Sequence, residues 1–507
     1  MAGPVPALDE RAAACAERLR AADSVLLASH IDADGLTSAA IAATALERAG
    51  LDFEVVFKKQ LDDAEIASIA AREYDTVLFT DFGSGQLDCI SRHETAGDFT
   101  PVIADHHQPA DAETEYHLNP LLEGIDGASE LSGAGASYVL ARALASTGDG
   151  NGAAATDGGP ASEAGGASSD AQSDGGAAGT DAEAGSDNRD LAGLAVVGAV
   201  GDMQAVGGEL HGANANIVAE GVEAGVLEEG TDLALYGKQT RPLPKLLEYS
   251  SEVRIPGISN DESGAIAFLD GLGLDLKEGG EWRRWVDLTD EERQTVASSL
   301  VQRAIKRGVS AEKVDGLVAT TYTLTAEPVG TELRDASEFS TLLNATARYE
   351  RADVGLAVCL GDREAGLERA RHLLRTHRRN LSEGLQWVKS EGVTREDNLQ
   401  WFDAGDRIRE TIVGIVAGMA VGVEGVDPDT PIVAFARKSD EETKVSGRGT
   451  GRLVAQGLDL SVVMGEASEA VGGGGGGHDV AAGATIPAGE ERAFVDRADE
   501  LVGDQLG

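Results

Sequence analysis

Short apolar runs of strand length alternate with helical stretches through the first part of this chain, and that alternation limits the folds open to it. SVLLAS (Ser24–Ser29) is the first run, and LTSAAIAATALERAG follows as a helix with Gly50 as its stop. FEVVF, DTVLFT and PVIAD are further runs with β-branched and aromatic content, and Asp62–Arg72 between two of them reads as helical. This βαβα order predicts an α/β fold, with a parallel sheet covered by helices on both faces. Ligands of such sheets sit beyond the carboxyl ends of the strands.

Those ends carry acids and imidazoles. After SVLLAS come His30, Asp32 and Asp34; after DTVLFT, Asp81; after PVIA, Asp105, His106 and His107. The apolar run LAVVGAVG, read as a fourth such end, delivers Asp202. Taken singly, each has a plainer reading. Asp34 ahead of LTSAAI is a ready helix cap, and a tandem His-His is commonly a surface feature. Together they repel one another unless a cation sits between them. Mixed oxygen and nitrogen donors suit Mn²⁺, Mg²⁺ or a similar divalent ion. The three cysteines, Cys15, Cys89 and Cys359, are too scattered for a thiolate zinc site or a disulfide framework. The number of donors fits two ions, which together can activate a water and stabilise both oxygens of an in-line displacement at phosphorus.

A formal net charge of −45 would ordinarily oppose binding to phosphates. The acidity, however, is spread along the whole chain, with few aromatics and abundant alanine and glycine. That pattern matches proteomes adapted to molar salt, where screening reaches about 3 Å and net charge no longer steers partners; it marks a halophilic habitat and does not identify a substrate. The 507 residues suggest two to four domains. The amino-terminal residues are too charged for a signal peptide. The longest apolar run, near Thr411 to Val423, falls short of the ~20 residues a membrane span needs. The expectation is a soluble, cytoplasmic protein with no membrane partner.

Residues 147–189 are nearly all Gly, Ala, Ser and Asp, too poor in apolar surface to offset ordering entropy, and are read as a disordered insertion. Residues 207–310 read as helical and linker-like. Trp282-Arg283-Arg284-Trp285 within them fits a packed face better than a clamp on nucleic acid. A second α/β module is expected from Val314, with DGLVATTYTL, VGLAVCL, PIVAFARK and TKVSGRG as strands. Its glycine run, GGGGGGHDVAAGATIP, offers backbone N–H groups without a Cβ in the way, a common means of approaching phosphate.

The order IDADG, lone Asp, Asp-His-His, Gly-Asp resembles the DHH phosphoesterase superfamily. The resemblance implies that His30, Asp32, Asp34, Asp81, His106 and Asp202 ligate two Mn²⁺ or Mg²⁺ ions. Asp81 would bridge them, and His107 would contact the scissile phosphate or place the attacking water. HDVAAG after the glycines resembles the DHH-associated domain, which implies substrate contacts from Gly475, Gly476, Gly477 and His478, and from Ser446 and Arg448 on a preceding strand. ELRDASEFSTLLNATARY resembles archaeal RecJ-like proteins, with Asn344-Ala-Thr346 in place of an Asn-Ala-Cys-Gly pattern. The implied layout is a DHH catalytic domain over 1–250, a helical connector over 251–313 and a DHH-associated domain over 314–507. The implied activity is a single-strand-specific exonuclease acting on DNA or RNA. Two alternatives share the motifs: a phosphodiesterase of oligoribonucleotides or cyclic dinucleotides, and a replication-helicase scaffold bound to the GINS complex.

Overall fold

The computed structural model describes residues 3–145, 187–250 and 253–507. Most of the low-complexity stretch therefore lies outside the described residues. Its last three residues do not share its expected character. Asn188 is buried, donates to the Ala141 carbonyl at 2.7 Å and accepts from Arg48 at 2.8 Å.

Five parallel strands form the first sheet: β1 (Val25–His30), β2 (Phe53–Lys58), β3 (Thr76–Thr80), β4 (Thr100–Ala104) and β5 (His117–Leu118), in the order β2-β1-β3-β4-β5. The period of two sorts their side chains. Leu26, Ala28, Val77, Phe79 and Ile103 pack on one face with Ile66 and Ile69 of the helix Asp63–Ala70 and Leu87 and Ile90 of the helix Leu87–Ala96. Burying each such side chain is worth about 1.5–3 kcal/mol. Helices Asp9–Arg20, Ala33–Arg48, Gly133–Ala145 and Ala192–Gly201 pack together in a second layer. The α/β expectation with a leading parallel sheet is met.

Two apolar runs read as strand-like are helices. LAVVGAVG lies in the helix Ala192–Gly201, whose Ala195, Val196, Val197 and Ala199 are all buried, so Asp202 is a helix C-cap and not a strand end. VGLAVCL lies largely in the helix Ala352–Cys359. Short apolar runs buried on every side carry no period that separates the two states.

The middle of the chain is held by an antiparallel ribbon. β6 (Leu227–Leu233) pairs with β9 (Val318–Leu324), from Leu227↔Leu324 to Leu233↔Val318. Between them the chain builds its own core from Leu243, Leu246, Ile255, Trp285, Val296 and Leu300, plus a small hairpin, β7 (Lys277–Glu278) with β8 (Glu281–Trp282). Trp285 is packed, its Nε1 donating to Asp232 at 2.9 Å, and Arg283 is bound to Glu292.

Two compact units divide the chain, Met1–Ala370 and Arg371–Gly507, so the boundary falls well after Val314. β9 returns to β6, and the helix Ala336–Arg348 packs on the helices Ala33–Arg48 and Ala192–Gly201. The second unit holds a mixed six-stranded sheet of β10 (Thr394–Arg395), β11 (Gln400–Asp403), β12 (Ile432–Arg437), β13 (Glu442–Arg448), β14 (Gly474–Gly477) and β15 (Ala481–Pro487). Their order is β10-β11-β12-β13-β15-β14. The helix Val413–Ala420 packs with one hydrophobic cluster; Leu460–Ala470 and Glu491–Leu506 pack with another. Among the described residues no helix is long and apolar enough to cross a membrane.

Candidate metal centre

The parallel sheet delivers its first acids at the ends of β1, β3 and β4. Past β1 the chain turns at once into the helix Ala33–Arg48. The cap is Asp32, whose carboxylate accepts from Gly35 N–H at 3.0 Å, and not Asp34. Asp34 is 1% exposed. Its carboxylate accepts from Gly133 N–H at 2.7 Å and Ala134 N–H at 3.0 Å, the first turn of the helix Gly133–Ala145, where the helix dipole favours an anion.

Asp81, 2% exposed, sits at φ 59°, a left-handed conformation that Asp tolerates better than most residues. Its carboxylate faces two ways. Oδ2 lies 3.4 Å from His30 Nδ1, and Oδ1 lies 3.3 Å from His106 Nε2. His30 Nδ1 is also 3.2 Å from Asp32. His106 Nε2 is 3.8 Å from both Asp34 and Asp202. Two donor sets result, His30 with Asp32 and Asp81, and Asp34 with His106 and Asp202, the atoms of each lying within 4.8 Å of one another. All six residues expected from the sequence as ligands are thus brought together.

His106 provides the test of whether this cluster suits a cation. Its Nδ1 is 2.6 Å from the Gly127 carbonyl, so that nitrogen must donate. In the neutral ring the Nε2 lone pair then points into the acids. That atom is buried and, among the described residues, has no hydrogen-bond partner. An imidazole fixed by one nitrogen, with the other aimed at carboxylates, is the posture of a metal ligand. The charges agree. Burial, then the neighbouring Asp81 and Asp202, pushes Asp34 well above the usual carboxylate range, and burial likewise raises Asp202. Burial opposes charge on Asp81, but His106 and His30 hold it well below that range. His30 is also desolvated, yet Asp32 and Asp81 push it up to about 11. Among the described residues the buried acids have only imidazoles as counterions, a role a divalent ion fills better.

Asp105 plays a different part. Burial opposes its charge, but His107 brings it down to about 2. Its Oδ1 accepts from His107 Nδ1 and His106 N–H at 2.8 Å each, and its Oδ2 from Ser84 N–H at 2.9 Å. Its oxygens are thus taken up in aiming the half-exposed His107 ring, although Asp105 also falls with Asp81, His106 and His107 in a third group of donors within 4.8 Å of one another.

Several supports were given no role by the sequence reading, Asn344 among them although its motif was noted. Gln204 Nε2 donates to Asp202 and to the Gly127 carbonyl, both at 2.9 Å, and its Oε1 accepts from Asn214 at 2.7 Å. Asn344 Oδ1 accepts from Ala33 N–H at 3.1 Å, tying the helix Ala336–Arg348 to the first acid loop. Gly198 and Gly133 allow the close approach: a Cβ would stand 2.4 Å from Asp34 Oδ1 at Gly198 and 2.5 Å from Asp81 Oδ1 at Gly133. Polar residues inside buried stretches, and the small-residue run GAGAS at the helix start, were the available signals.

The other expected site residues lie in the second unit and share one corner of its sheet. Ser446 on β13 is opposite Gly483 on β15, which is opposite Gly476 on β14. Two residues along, Arg448 is opposite Ala481, which exchanges backbone hydrogen bonds with His478. The glycines form an edge strand and not a loop. A Cβ at Gly475 would lie 2.7 Å from the Met464 carbonyl on the helix behind, so packing alone demands glycine there, while Gly474 and Gly476 meet nothing within 4 Å. Exposed His478 closes the turn.

Three family models match in chain order: the DHH family, N-terminal domain over residues 24–155, the DHH-CID domain over 235–318 and the DHHA1 domain over 399–504. An uncharacterised protein of Methanocaldococcus jannaschii is 28% identical over 487 residues, 94% of this chain and 93% of its own. RecJ of Thermus thermophilus in complex with Mn²⁺ is similar in fold, with a TM-score of 0.57 at 17% identity over 99% of this chain. This chain spans 56% of that protein's length. A structure of exonuclease RecJ bound to manganese gives 0.56 at 16% identity over 99% of this chain and 96% of that one. CDC45 of Entamoeba histolytica gives 0.62 at 10% identity over 96% of this chain and 97% of that one.

Proposed function

We propose that this chain, which belongs to the DHH superfamily and has a RecJ-like fold, is a metal-dependent phosphodiesterase that removes nucleotides from an end of single-stranded DNA or RNA. One observation carries the reading: a buried carboxylate, Asp81, presents one oxygen to His30 and the other to His106, with further acids on each side. His30, Asp32 and Asp81 would hold one ion, and Asp34, His106 and Asp202 a second, with Asp81 shared. Mn²⁺ or Mg²⁺ suits these donors, and RecJ structures with each are known. When bound, such ions supply Lewis-acid chemistry, making a water more acidic and neutralising phosphoryl oxygens.

The chain's own residues do the rest. Gly127 fixes the His106 tautomer, Gln204 orients Asp202, and Asp105 turns the outer nitrogen of His107 toward the open side, where it can donate to a phosphate oxygen. In the second unit, Ser446, Arg448, the glycines 475–477 and His478 are assigned to the substrate's phosphates. A GINS-associated scaffold is a second reading, supported by the CDC45-like fold, but the complete acid set favours an enzyme. The test is degradation of end-labelled single-stranded DNA and RNA with Mn²⁺ or Mg²⁺ across a series of KCl concentrations. Stepwise shortening, absent with EDTA and absent on duplex, is expected. An intact strand with a protein shown to bind Mn²⁺ would refute the reading.

A further inference from the structure

Six residues other than glycine hold a positive φ among the described residues, and five of them, Glu73, Asp81, Asn188, Asn260 and Glu350, are polar. The sixth is Met203, at φ 61°, next in the chain to Asp202. It stands where the helix Ala192–Gly201 ends. Met203 N–H donates to the Val200 carbonyl at 3.2 Å, and Gln204 N–H to the Ala199 carbonyl at 3.0 Å. That pair of bonds closes a helix through one left-handed residue, a place that favours glycine. The chain follows this preference elsewhere. Gly50, Gly225 and Gly308 close the helices Ala33–Arg48, Gly212–Glu223 and Asp290–Lys306 with the same two bonds. Where Glu350 takes the place after Ala336–Arg348, its carboxylate is paired with Lys59. Met203 has no charge to pair, and at 87% it is the most exposed large apolar side chain among the described residues.

A strained backbone whose side chain gives the fold little packing in return points to a use outside the fold. Its place shows which. Asp202 stands at the rim of the metal centre, with 31% of its side chain exposed against 1% for Asp34. Consecutive Cα atoms are about 3.8 Å apart, so the long, unbranched Met203 side chain can reach the space beside that carboxylate. The turn that carries it is anchored. Buried Gln204 is bonded to Asp202, the Gly127 carbonyl and Asn214, and its own carbonyl accepts from Val206 N–H at 2.9 Å. Val206 is exposed as well, so a second apolar side chain stands on the same turn. A phosphodiester held at the metal centre brings a sugar and a base with it. Every base has an aromatic face, and a thioether packs favourably against such faces. A contact of this kind keeps its strength where salt screens charges.

We infer that Met203 is a platform for the base of the nucleotide beside the scissile phosphate. The inference rests on the proposed function and names a residue that grips the base and not the phosphate. It is tested by anisotropy of labelled single strands with Ca²⁺ in place of Mn²⁺, each strand checked to be intact afterwards. The proteins are the wild type, Met203→Gly, Met203→Asn and Met203→Leu. One strand is an oligothymidylate, and the other is the same strand with abasic residues at the last three positions of both ends. Glycine and asparagine keep the left-handed turn. Those two variants should bind the oligothymidylate about three- to tenfold more weakly, by the same factor across a series of KCl concentrations, and should match the wild type on the abasic-ended strand. Met203→Leu should stay within about twofold of the wild type on both strands. Calorimetric titration should give all four proteins the same Mn²⁺ affinity, and Met203→Gly should melt no lower than the wild type. Equal binding of the oligothymidylate by Met203→Gly and the wild type would overturn the platform. So would an equal loss on the abasic-ended strand, a leucine variant as weak as the glycine one, or no binding of either strand by the wild type. A loss that tracks lower Mn²⁺ affinity or lower melting would also overturn it and assign Met203 to the frame of Asp202. Hydrolysis is followed separately, in the wild type alone with Mn²⁺. The expected binding pattern with no hydrolysis would sink the nuclease reading while the platform stands.

Discussion

Gly198→Ala should disable the metal centre without touching a donor. Gly198 lies in the helix Ala192–Gly201, and a Cβ there would meet Ala134 Cβ and Asp34 Oδ1 at 2.4 Å each and Thr37 Oγ1 at 2.5 Å. Carbon atoms prefer about 3.5–4.0 Å, so the helix or the Asp34 loop must retreat by roughly 1 Å. Overpacking of this kind costs about 1–3 kcal/mol, offset by up to about 1 kcal/mol of helix propensity. The catalytic loss should be larger, since about 1 Å of misplacement costs on the order of 100-fold. Gly193→Ala on the same helix is the control. Its Cβ would find Leu324 at an ordinary 3.6 Å, so neutral or slightly higher stability is expected. Calorimetric titration with Mn²⁺, strand hydrolysis and thermal melting are measured on all three proteins. If Gly198→Ala binds Mn²⁺ and turns over as well as the wild type, close helix approach is not what shapes the centre.

Asp81→Asn, chosen because Asn also accepts φ 59°, should abolish hydrolysis by several orders of magnitude with little change in melting; near-normal turnover by a metal-loaded variant would remove the shared-carboxylate assignment. Arg448→Ala should raise KM for oligonucleotides by a cost of about 1.5–3 kcal/mol, more on long strands than on dinucleotides, with Mn²⁺ affinity unchanged. Equal losses at every length would favour a small-substrate phosphodiesterase. His117 is buried beside Ser84 Oγ at 2.9 Å, and desolvation brings it down to about 4 from 6.5. The fold thus favours the neutral ring, so its contribution is whole above pH 6.5 and is lost as pH falls toward 4, by up to roughly 3 kcal/mol. His117→Gln should flatten that part of an acid-unfolding profile, and an unchanged profile would refute the assignment.

The acid loops were legible because each follows a strand of the predicted kind. Val25–His30, Thr76–Thr80 and Thr100–Ala104 are short apolar runs between turn signals, and a parallel sheet gathers their ends. Asp202 reached the same place by another route, from a helix buried all round, which composition cannot tell from a strand. The boundary expected at Val314 failed because β9 pairs back across the chain to β6, and no local pattern announces a partner so far away. The run Gly474–Gly477 read as a cradle, but Gly475 and Gly477 answer to close packing against the neighbouring strand and the helix behind. Most hidden of all was the Gly127 carbonyl, a backbone atom whose one mark in the sequence is the glycine itself, where a Cβ would stand 2.1 Å from the His106 carbonyl oxygen.

The ribbon of β6 and β9 carries an evolutionary and engineering consequence. Leu233 and Val318 face each other across it, and Ala234 N–H donates to the Leu317 carbonyl at 3.0 Å. The chain leaves and rejoins its host at a single doorway, and what lies between has a core of its own. Such a module can be enlarged or exchanged without shifting the ribbon's register, provided that Gln239 N–H and Thr240 Oγ1 still donate to the buried Glu338 carboxylate outside it. Cutting at that doorway and bridging it with a two-residue turn would convert the ribbon into a plain hairpin. The excised piece, expressed alone, could then be put to uses of its own, from mapping surfaces to transplantation into a relative.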